Sequence, residues 1–252
     1  MLPPSHPPQC APAFDAVILA AGASTRFFRS GGTVFKQVVP YKGTPVIRYL
    51  YDILAALPGV DQVHVVLGDN PDCAQAIRDV LPEDNIHFWV NPDSARDNNL
   101  LSFQHGTQHL DKGVIVVEAD CVLSEADLLN ILANCQSNQI CWANIGQIDT
   151  YDYGGVLETN ILGEVISVDV LTANEMAQFK DANRTGFKLF GVAAFGQEAL
   201  QIYLGIITAR SDCYNQYFHI IATENPERFN FRTVEMSQSS FSFNIVSELE
   251  NA

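Results

Sequence analysis

Basic residues are scarce in this chain of 252 residues. Its 14 lysines and arginines stand against 29 aspartates and glutamates, which gives a formal charge of −15. Proteins that bind nucleic acid or anionic membranes usually present a basic surface, so the composition argues against both partners. The sequence also lacks an apolar run of the roughly 20 residues that a membrane-spanning helix needs. We therefore expect no nucleic-acid partner and no membrane partner.

Closely spaced cysteine pairs are absent as well. The six cysteines are scattered and none stands in a C-x-x-C pair, which favours reduced thiols and a cytoplasmic protein. Residues 1–13 lack the basic and apolar segments of a secretory signal and are rich in proline, so we predict a disordered tail there. Residues 14–252 are predicted to form one domain.

Acidic residues are missing from residues 16–51, although they are frequent elsewhere. This stretch opens with an apolar run, continues with a turn of small residues at positions 20–25, and carries five of the 14 basic residues. Small residues let a ligand approach the backbone, and consecutive N–H groups in a turn form a concavity that binds anions. The pattern favours a strand followed by a loop that binds a polyphosphate. A plain strand–turn–helix with surface cations is the alternative.

Strand and helix patterns alternate through the first half of the chain. Strands are predicted over residues 14–19, 62–67, 86–90 and 113–118, and Thr44-Pro45 predicts the start of a helix. Ser124 and Asp127 predict a capping box for a helix over residues 125–135. Such alternation implies right-handed crossovers and a largely parallel sheet. Ligands of these sheets bind at the carboxyl ends of the strands, which is where the small-residue turn lies.

The string LAAGASTRF, followed by FKQVVPYKGTPVI, resembles the signature of nucleotidyltransferases that attach nucleoside triphosphates to phosphorylated sugars and alcohols. That family reads LAAGxGxR, a variable gap, PK, a short strand and GxP. Ser24 replaces a usual glycine and Phe35 a usual proline, whereas Arg26 and Lys36 keep the basic positions. The resemblance implies an α/β fold, Rossmann-like and of the GT-A type, with three α/β/α layers around a mixed, mostly parallel sheet.

The resemblance also implies site residues. Arg26, Lys36 and Asp120 would be catalytic. The nucleotide would contact Ala20, Ala21, Gly22, Ala23, Ser24, Thr25, Asn98, Asn99 and Ser102. For Asn98 and Asn99, capping of the helix that follows them is an alternative, and both roles are compatible.

A carboxylate pair follows the apolar string GVIVVE, in Glu118-Ala119-Asp120. Carboxylates at the end of a central strand suit Mg²⁺, which binds one or two of them together with water and substrate phosphates. The resemblance places Asp120 at this metal, and it places Asn244 where the family carries a second aspartate. Glu248 or Glu250 would supply the charge if that alignment is shifted. A turn cap is the simpler alternative role for Asp120.

The acceptor would bind to residues 142–220, where residues 155–159 and 164–170 predict a β-hairpin. The aromatic residues that could line its pocket and hold a cation such as choline are Tyr151, Tyr153, Phe187, Tyr214, Tyr217 and Phe218. Core packing is the more common role for each of them. Lys188 or Arg184 could hold the acceptor phosphate.

The resemblance implies Mg²⁺-dependent transfer of CMP from CTP, or of another NMP from its NTP, to a small phosphorylated alcohol such as phosphocholine, with release of pyrophosphate. A sugar-1-phosphate nucleotidyltransferase, a nucleotide-binding protein that has lost catalysis and a metal-dependent glycosyltransferase are the alternatives. The sequence does not decide whether the chain forms a homodimer.

Overall fold

The computed structural model describes residues 14–82 and 84–250, so the predicted tail over residues 1–13 lies outside the described residues. The strands are β1 (Phe14–Ala20), β2 (Pro40–Tyr41), β3 (Thr44–Pro45), β4 (Val60–Leu67), β5 (Ile86–Val90), β6 (Gly113–Glu118), β7 (Cys121–Val122), β8 (Gln139–Gln147), β9 (Gly154–Thr159), β10 (Val165–Leu171), β11 (Gly186–Phe195), β12 (Asn230–Glu235) and β13 (Phe241–Ser242). The α-helices are α1 (Thr25–Arg29), α2 (Val46–Ala55), α3 (Pro71–Val80), α4 (Leu100–Thr107), α5 (Glu125–Ala133), α6 (Ala173–Asp181), α7 (Gln197–Thr208), α8 (Phe218–Thr223) and α9 (Val246–Glu250). Single 3-10 turns cover Lys36–Val38, Ser94–Arg96, Ile148–Thr150 and Pro226–Arg228.

A nine-stranded sheet runs in the order β10-β9-β11-β6-β1-β4-β5, with β8 beside β11 and β12 beside β8. Strand β1 is parallel to β4 and β6, and β4 is parallel to β5. Strand β11 pairs antiparallel with β6, β8 and β9, and the predicted hairpin is present as β9 and β10. The mixed sheet confirms the predicted fold class: β1, β4, β5 and β6 of the first half of the chain form a parallel part, and β12 pairs parallel with β8.

Helices cover both faces of the sheet. Along β1, Ala16 and Ile18 belong to one apolar cluster, whereas Val17 and Leu19 belong to the other. Buried side chains of α2, α3 and α5 join the first cluster, and those of α4, α7 and α8 join the second. Because every residue of β1 is buried, this strand is the apolar centre of a three-layer fold, as in other sheets covered on both faces.

The predicted helix start at Thr44-Pro45 is one residue too early, because Pro45 is the N-cap of α2 rather than its first helical residue. These residues form β3, which pairs with β2, and α2 begins at Val46 without a side-chain cap. The Val46 N–H donates to the carbonyl of Val39 at 2.9 Å. A local hairpin therefore occupies the position that the capping pattern assigned to the helix.

The carboxyl ends of four neighbouring strands, β6, β1, β4 and β5, meet at one edge of the sheet. Leu19 lies beside Glu118, and Leu67 lies beside both Ala20 and Val90. The loops after β1, β5 and β6 therefore lie together, which gathers three segments of the chain at one site.

None of the helices within the described residues has the length and apolar character needed to cross a membrane. The single-domain boundary, the cytoplasmic location and the homodimer stay predictions.

Candidate active site

The turn after β1 is joined to the segment that carries Lys36. Ser24 adopts the left-handed conformation, with a φ of 57°, at the position where the resembling family carries a glycine. Its hydroxyl donates to Oε1 of Gln37 at 3.0 Å and accepts the backbone N–H of Lys36 at 3.0 Å. The serine therefore keeps a backbone shape that is uncommon for residues other than glycine, and it uses its side chain to join the two segments.

Lys36 and Asp120 form an ion pair inside the site. Nζ of Lys36 lies 2.5 Å from Oδ2 of Asp120, and their side chains are only 17% and 8% exposed. Arg26 extends from α1 beside them and makes no ion pair within residues 14–82 and 84–250. One basic side chain is thus neutralised by Asp120, while the other is available to an anionic ligand.

Glu118 is the second carboxylate of the site. Its Oε1 accepts a hydrogen bond from Nδ2 of Asn99 at 2.9 Å. Burial and the neighbouring Asp120 raise the pKa of the Glu118 carboxyl to about 7, while Lys36 and Asn99 act against this rise. Glu118 and Asp120 carry two carboxylates and share one nearby lysine, so a further cation would stabilise the site.

The residues present fit a magnesium ion. Oδ1 of Asp120 is buried and has no hydrogen-bond partner within the described structure, so a coordinating cation would satisfy it. No cluster of three or more His, Cys, Asp or Glu side chains suited to a metal occurs among the described residues. Mg²⁺ needs fewer, because water and substrate phosphates complete its shell. Asp120 would therefore hold the ion, with Glu118 beside it.

Asn244 lies close to this carboxylate pair. The backbone N–H of Phe243 donates to the carbonyl of Asp120 at 3.2 Å, which brings the next residue to the mouth of the site. Glu248 instead accepts the backbone N–H of Asn244 at 2.6 Å. Unlike Asn244, it does not line the cavity at this edge of the sheet. The alignment that places Asn244 near the metal fits the structure better than one that uses Glu248.

A cavity of about 540 Å³ opens at this edge of the sheet. With one exception, the predicted catalytic, nucleotide-binding and metal residues all line this first cavity: Ala21, Gly22, Ala23, Ser24, Thr25, Arg26, Lys36, Asn98, Asn99, Ser102, Asp120 and Asn244. The exception is Ala20, which is 1% exposed and ends β1. Its role as a nucleotide contact, like the other roles, stays a prediction.

Asn99 occupies the N-cap position of α4, as the capping alternative expected, but its side chain does not cap the helix. The carboxylate of Asp97 accepts the backbone N–H groups of Leu101 and Ser102 at the start of α4, at 3.1 and 2.8 Å. Asn99 instead links two distant segments, because its Nδ2 donates to Glu118 and its Oδ1 accepts the N–H of Phe218 at 3.0 Å. The side chain of Asn99 therefore positions Glu118 and does not cap α4.

The hydroxyl of Ser102 already has partners. It donates to Oδ2 of Asp97 at 2.8 Å and accepts from Nδ2 of Asn91 at 3.0 Å. Asn98 is exposed and donates to the carbonyl of Asn215 at 2.7 Å. Of these two, Asn98 has the side chain that a nucleotide could reach without displacing a buried bond.

A second cavity of about 530 Å³ adjoins the first. The two cavities share Arg26, Glu118, Tyr217, Ser242 and Asn244 in their linings. Two ligand-sized cavities that meet at charged residues suit a reaction between two bound substrates.

Aromatic residues line the second cavity, but only some of them were predicted. Tyr153, Tyr217 and Phe218 lie in its wall, whereas the predicted Tyr151, Phe187 and Tyr214 do not. The structure adds Trp142, Phe190 and His219. Burial lowers the pKa of the His219 imidazole to about 3, so this ring is neutral.

Lys188 and Arg184 differ in their surroundings. Arg184 forms an ion pair with Glu158 and lies outside the second cavity. Lys188 lines that cavity and donates to the carbonyl of Tyr153 at 2.9 Å. Burial lowers the pKa of the Lys188 ammonium, and Lys188 makes no ion pair within the described residues. Lys188 is therefore the one of the two that an acceptor anion could reach.

Gln37 is a residue of the site that sequence reasoning missed. It is 1% exposed and bonds to the turn after β1. A signal was present, because a glutamine stands inside the otherwise apolar string that follows Lys36, and a buried amide needs partners.

Comparison with known proteins relates this geometry to a family. A family model described as MobA-like NTP transferase domain matches residues 16–151. A CMP-5'-(3-aminopropyl)phosphonate synthase of Streptomyces rubellomurinus is 30% identical over 129 residues, which are 50% of this chain and 20% of that protein. The chain therefore spans about a fifth of the length of this curated relative.

Solved structures show the same fold. The CTP:phosphocholine cytidylyltransferase of Streptococcus pneumoniae superposes with a TM-score of 0.74 at 16% identity, covering 95% of this chain and 97% of that one. The inositol-1-phosphate CTP transferase of T. maritima superposes with a TM-score of 0.67 at 12% identity, covering 94% and 91%. At such low identity the likeness concerns the arrangement of helices and strands.

Proposed function

The chain belongs to the family of MobA-like NTP transferase domains, and on that premise we propose that it transfers CMP from CTP to a small acceptor bearing a phosphate or phosphonate group, with release of pyrophosphate. The observation that carries the proposal is the meeting of two cavities at Arg26 and Glu118, next to the pair of Lys36 and Asp120. In this arrangement the first cavity holds the nucleotide and the second holds the acceptor.

The reaction needs positioning and charge more than covalent help from the protein. An acceptor oxyanion attacks the α-phosphorus of the nucleotide, and the bond to pyrophosphate breaks with its electron pair leaving on pyrophosphate. Arg26 and Lys36 neutralise the charge that grows on the phosphoryl oxygens. A phosphate or phosphonate acceptor is largely ionised near pH 7, so the chain need not supply a general base.

Mg²⁺ is part of the proposal. Asp120 and Asn244 would hold the ion, with Glu118 beside them. Bound Mg²⁺ supplies positive charge to phosphoryl oxygens. Before it binds, Lys36 neutralises Asp120, so this lysine is placed to exchange the carboxylate for the nucleotide's phosphates.

The choice of CTP and of a phosphonate or phosphate acceptor has two supports. The curated relative is named for a CMP-phosphonate product. Arg26 and Lys188 line the second cavity, and neither has an ion-pair partner among the described residues. Their charges suit an anionic group in a protein that is otherwise acidic. The aromatic walls would contact the organic part of the acceptor.

We predict that Lys188→Met raises the KM for the acceptor about tenfold and leaves the KM for CTP within twofold. The reason is the loss of one charge-assisted contact to the acceptor anion. Steady-state kinetics of pyrophosphate release, varying one substrate at a time, measures both constants.

Lys180→Met is the matched control. Lys180 also bonds to backbone carbonyls of this region, those of Asp149 and Tyr151 at 3.1 and 2.7 Å, but it lines neither cavity. If both variants changed the acceptor KM equally, Lys188 would merely support the loop.

Asn244 favours a second candidate function, a nucleotide-binding protein without catalysis, because the site carries one carboxylate fewer than the family pattern. If the chain is an enzyme and Asn244 is at the metal, Asn244→Asp should lower the Mg²⁺ concentration for half-maximal activity by about tenfold, since ligand charge sets the affinity of such sites. A Mg²⁺ titration of pyrophosphate release measures this, and an unchanged midpoint would place Asn244 away from the metal.

The direct test is pyrophosphate release with Mg²⁺ from CTP, UTP, GTP and ATP. The acceptor panel contains phosphocholine, 2-aminoethylphosphonate, 3-aminopropylphosphonate, methylerythritol phosphate and hexose-1-phosphates. Release that depends on CTP and on one acceptor supports the proposal. In a parallel reaction supplied with a nucleotide sugar as donor, release of a nucleoside diphosphate would indicate a glycosyltransferase. A rise in melting temperature with CTP, but no product, would indicate a binding protein.

A further inference from the structure

We propose that Gln37 is a positioning residue that turns backbone N–H groups of the loop after β1 towards the nucleotide phosphates. The inference rests on the proposed function, because it concerns the loop that would hold the triphosphate. It assigns a role in substrate binding to a neutral, buried side chain outside the set of predicted site residues.

The amide of Gln37 makes three hydrogen bonds to the loop. Its Nε2 donates to the carbonyl of Ala20 at 3.2 Å and to the carbonyl of Gly22 at 2.7 Å. Its Oε1 accepts the hydroxyl of Ser24 at 3.0 Å. One side chain therefore binds three residues of the loop, at positions 20, 22 and 24.

These bonds set the direction of two peptide groups. In a trans peptide the carbonyl of one residue and the N–H of the next point in opposite directions, and the described residues contain no cis peptide. Because the carbonyls of Ala20 and Gly22 point towards Gln37, the N–H groups of Ala21 and Ala23 point away from it. Both alanines line the first cavity.

The two N–H groups are free to bind a ligand. Neither has a hydrogen-bond partner within the part of the chain that the structure describes. Unpaired N–H groups in a turn form an anion-binding concavity, and here the two alanines line the same cavity as Lys36 and Arg26. An oxyanion of the triphosphate would satisfy them.

Only an amide meets the demands of this position. It must offer two N–H donors to the carbonyls and one acceptor to the hydroxyl, which is the inventory of Gln or Asn. Glutamate would place an acceptor against two carbonyls, and methionine would leave both carbonyls without a partner. The loss of these bonds would free the two peptide groups to rotate.

A positioning role and a merely structural role predict different ligand preferences. If Gln37 orients donors for phosphate, its loss weakens the binding of CTP but not of cytidine, which has no phosphate. If Gln37 only supports the fold, both ligands lose affinity together. The ratio of the two dissociation constants therefore separates the roles without requiring turnover.

The experiment compares Gln37→Met with the wild-type chain by calorimetry for CTP and by ligand-observed NMR for cytidine, at fixed Mg²⁺. We expect the Kd for CTP to rise about 30-fold, which corresponds to losing one or two hydrogen bonds to a charged group. The Kd for cytidine should stay within twofold.

The control is Gln139→Met. Gln139 is also a buried glutamine, 7% exposed, and its Oε1 accepts the N–H of Gln136 at 3.0 Å, but it lines neither cavity. It should leave the ratio of the two constants unchanged. If Gln37→Met does not fold, Gln37→Glu replaces it: a protonated carboxyl donates one hydrogen bond, so its loss of CTP affinity should shrink as the pH falls from 8 to 6.

Each outcome decides something different. A wild-type chain that binds CTP no better than cytidine would overturn both the proposed function and this inference. A wild-type preference for CTP that persists in the Gln37 variant would overturn the inference alone. A proportional loss for both ligands would also overturn it, since that result belongs to a structural role.

Discussion

Asp120→Asn should lower the rate of nucleotidyl transfer at least a hundredfold in a protein that still folds. Asp120 is 6% exposed, its Oδ2 pairs with Lys36, and its Oδ1 is buried without a partner in the described structure. Asparagine keeps the shape but removes the charge that would hold Mg²⁺ and oppose Lys36, and both effects act on the developing phosphoryl charge. The measurement is kcat for pyrophosphate release with CTP and the acceptor found in the panel.

Asp127→Asn provides the matched control for a buried aspartate. Burial alone would raise the pKa of the Asp127 carboxyl, but hydrogen bonds from Ser237, Ser124 and Ser240 lower this pKa to about 2. This side chain closes the N-terminus of α5 in the predicted capping box and lines neither cavity. We expect the control to lower the melting temperature and to keep kcat within a few-fold. Near-normal turnover in Asp120→Asn would remove Asp120 from the mechanism.

Lys36→Met should also lower turnover at least a hundredfold. The variant leaves Asp120 and Glu118 without their shared basic neighbour and removes positive charge from the phosphate side of the first cavity. Removal of a preorganised charge that acts on the transition state commonly has an effect of this size. Because Lys36 would contact phosphates rather than the base, the affinity for cytidine should stay within twofold, while kcat falls.

Lys112→Met is the control for this prediction. Lys112 forms an ion pair with Asp61, also at 2.5 Å, but at the surface and away from both cavities. Exposed pairs contribute little to stability, so this variant should match the wild-type chain in both kcat and melting temperature. A Lys36 variant that behaved like Lys112→Met would show that the ion pair with Asp120 is structural.

Several features follow from the sequence because they depend on neighbours along the chain. The apolar run of β1, the small-residue turn after it and the basic residues that follow are local patterns, and the structure keeps all three in place. The capping box of Ser124 and Asp127 also forms as predicted, because its donors and acceptors lie within one helical turn. These patterns, with the resemblance of the signature loop, were sufficient to predict the fold class and many residues of the first cavity, although not Gln37.

Other features were decided by contacts between residues far apart in sequence. Asn99 bonds to Glu118 and to Phe218 rather than to its own helix, and Lys188 rather than Arg184 reaches the second cavity. Both results depend on tertiary packing, which brings together segments that no local pattern connects.

The sequence by itself therefore determined the strand, the loop and the basic residues of the first cavity, because each is encoded within a few neighbouring positions. The tertiary structure decided which side chain supports the loop and which residues line the second cavity. The amide of Gln37 finds its partners 13 to 17 positions away, and the second cavity forms only where distant strands and helices meet. Hydrogen bonds and cavity walls of that kind exist only after the chain has folded.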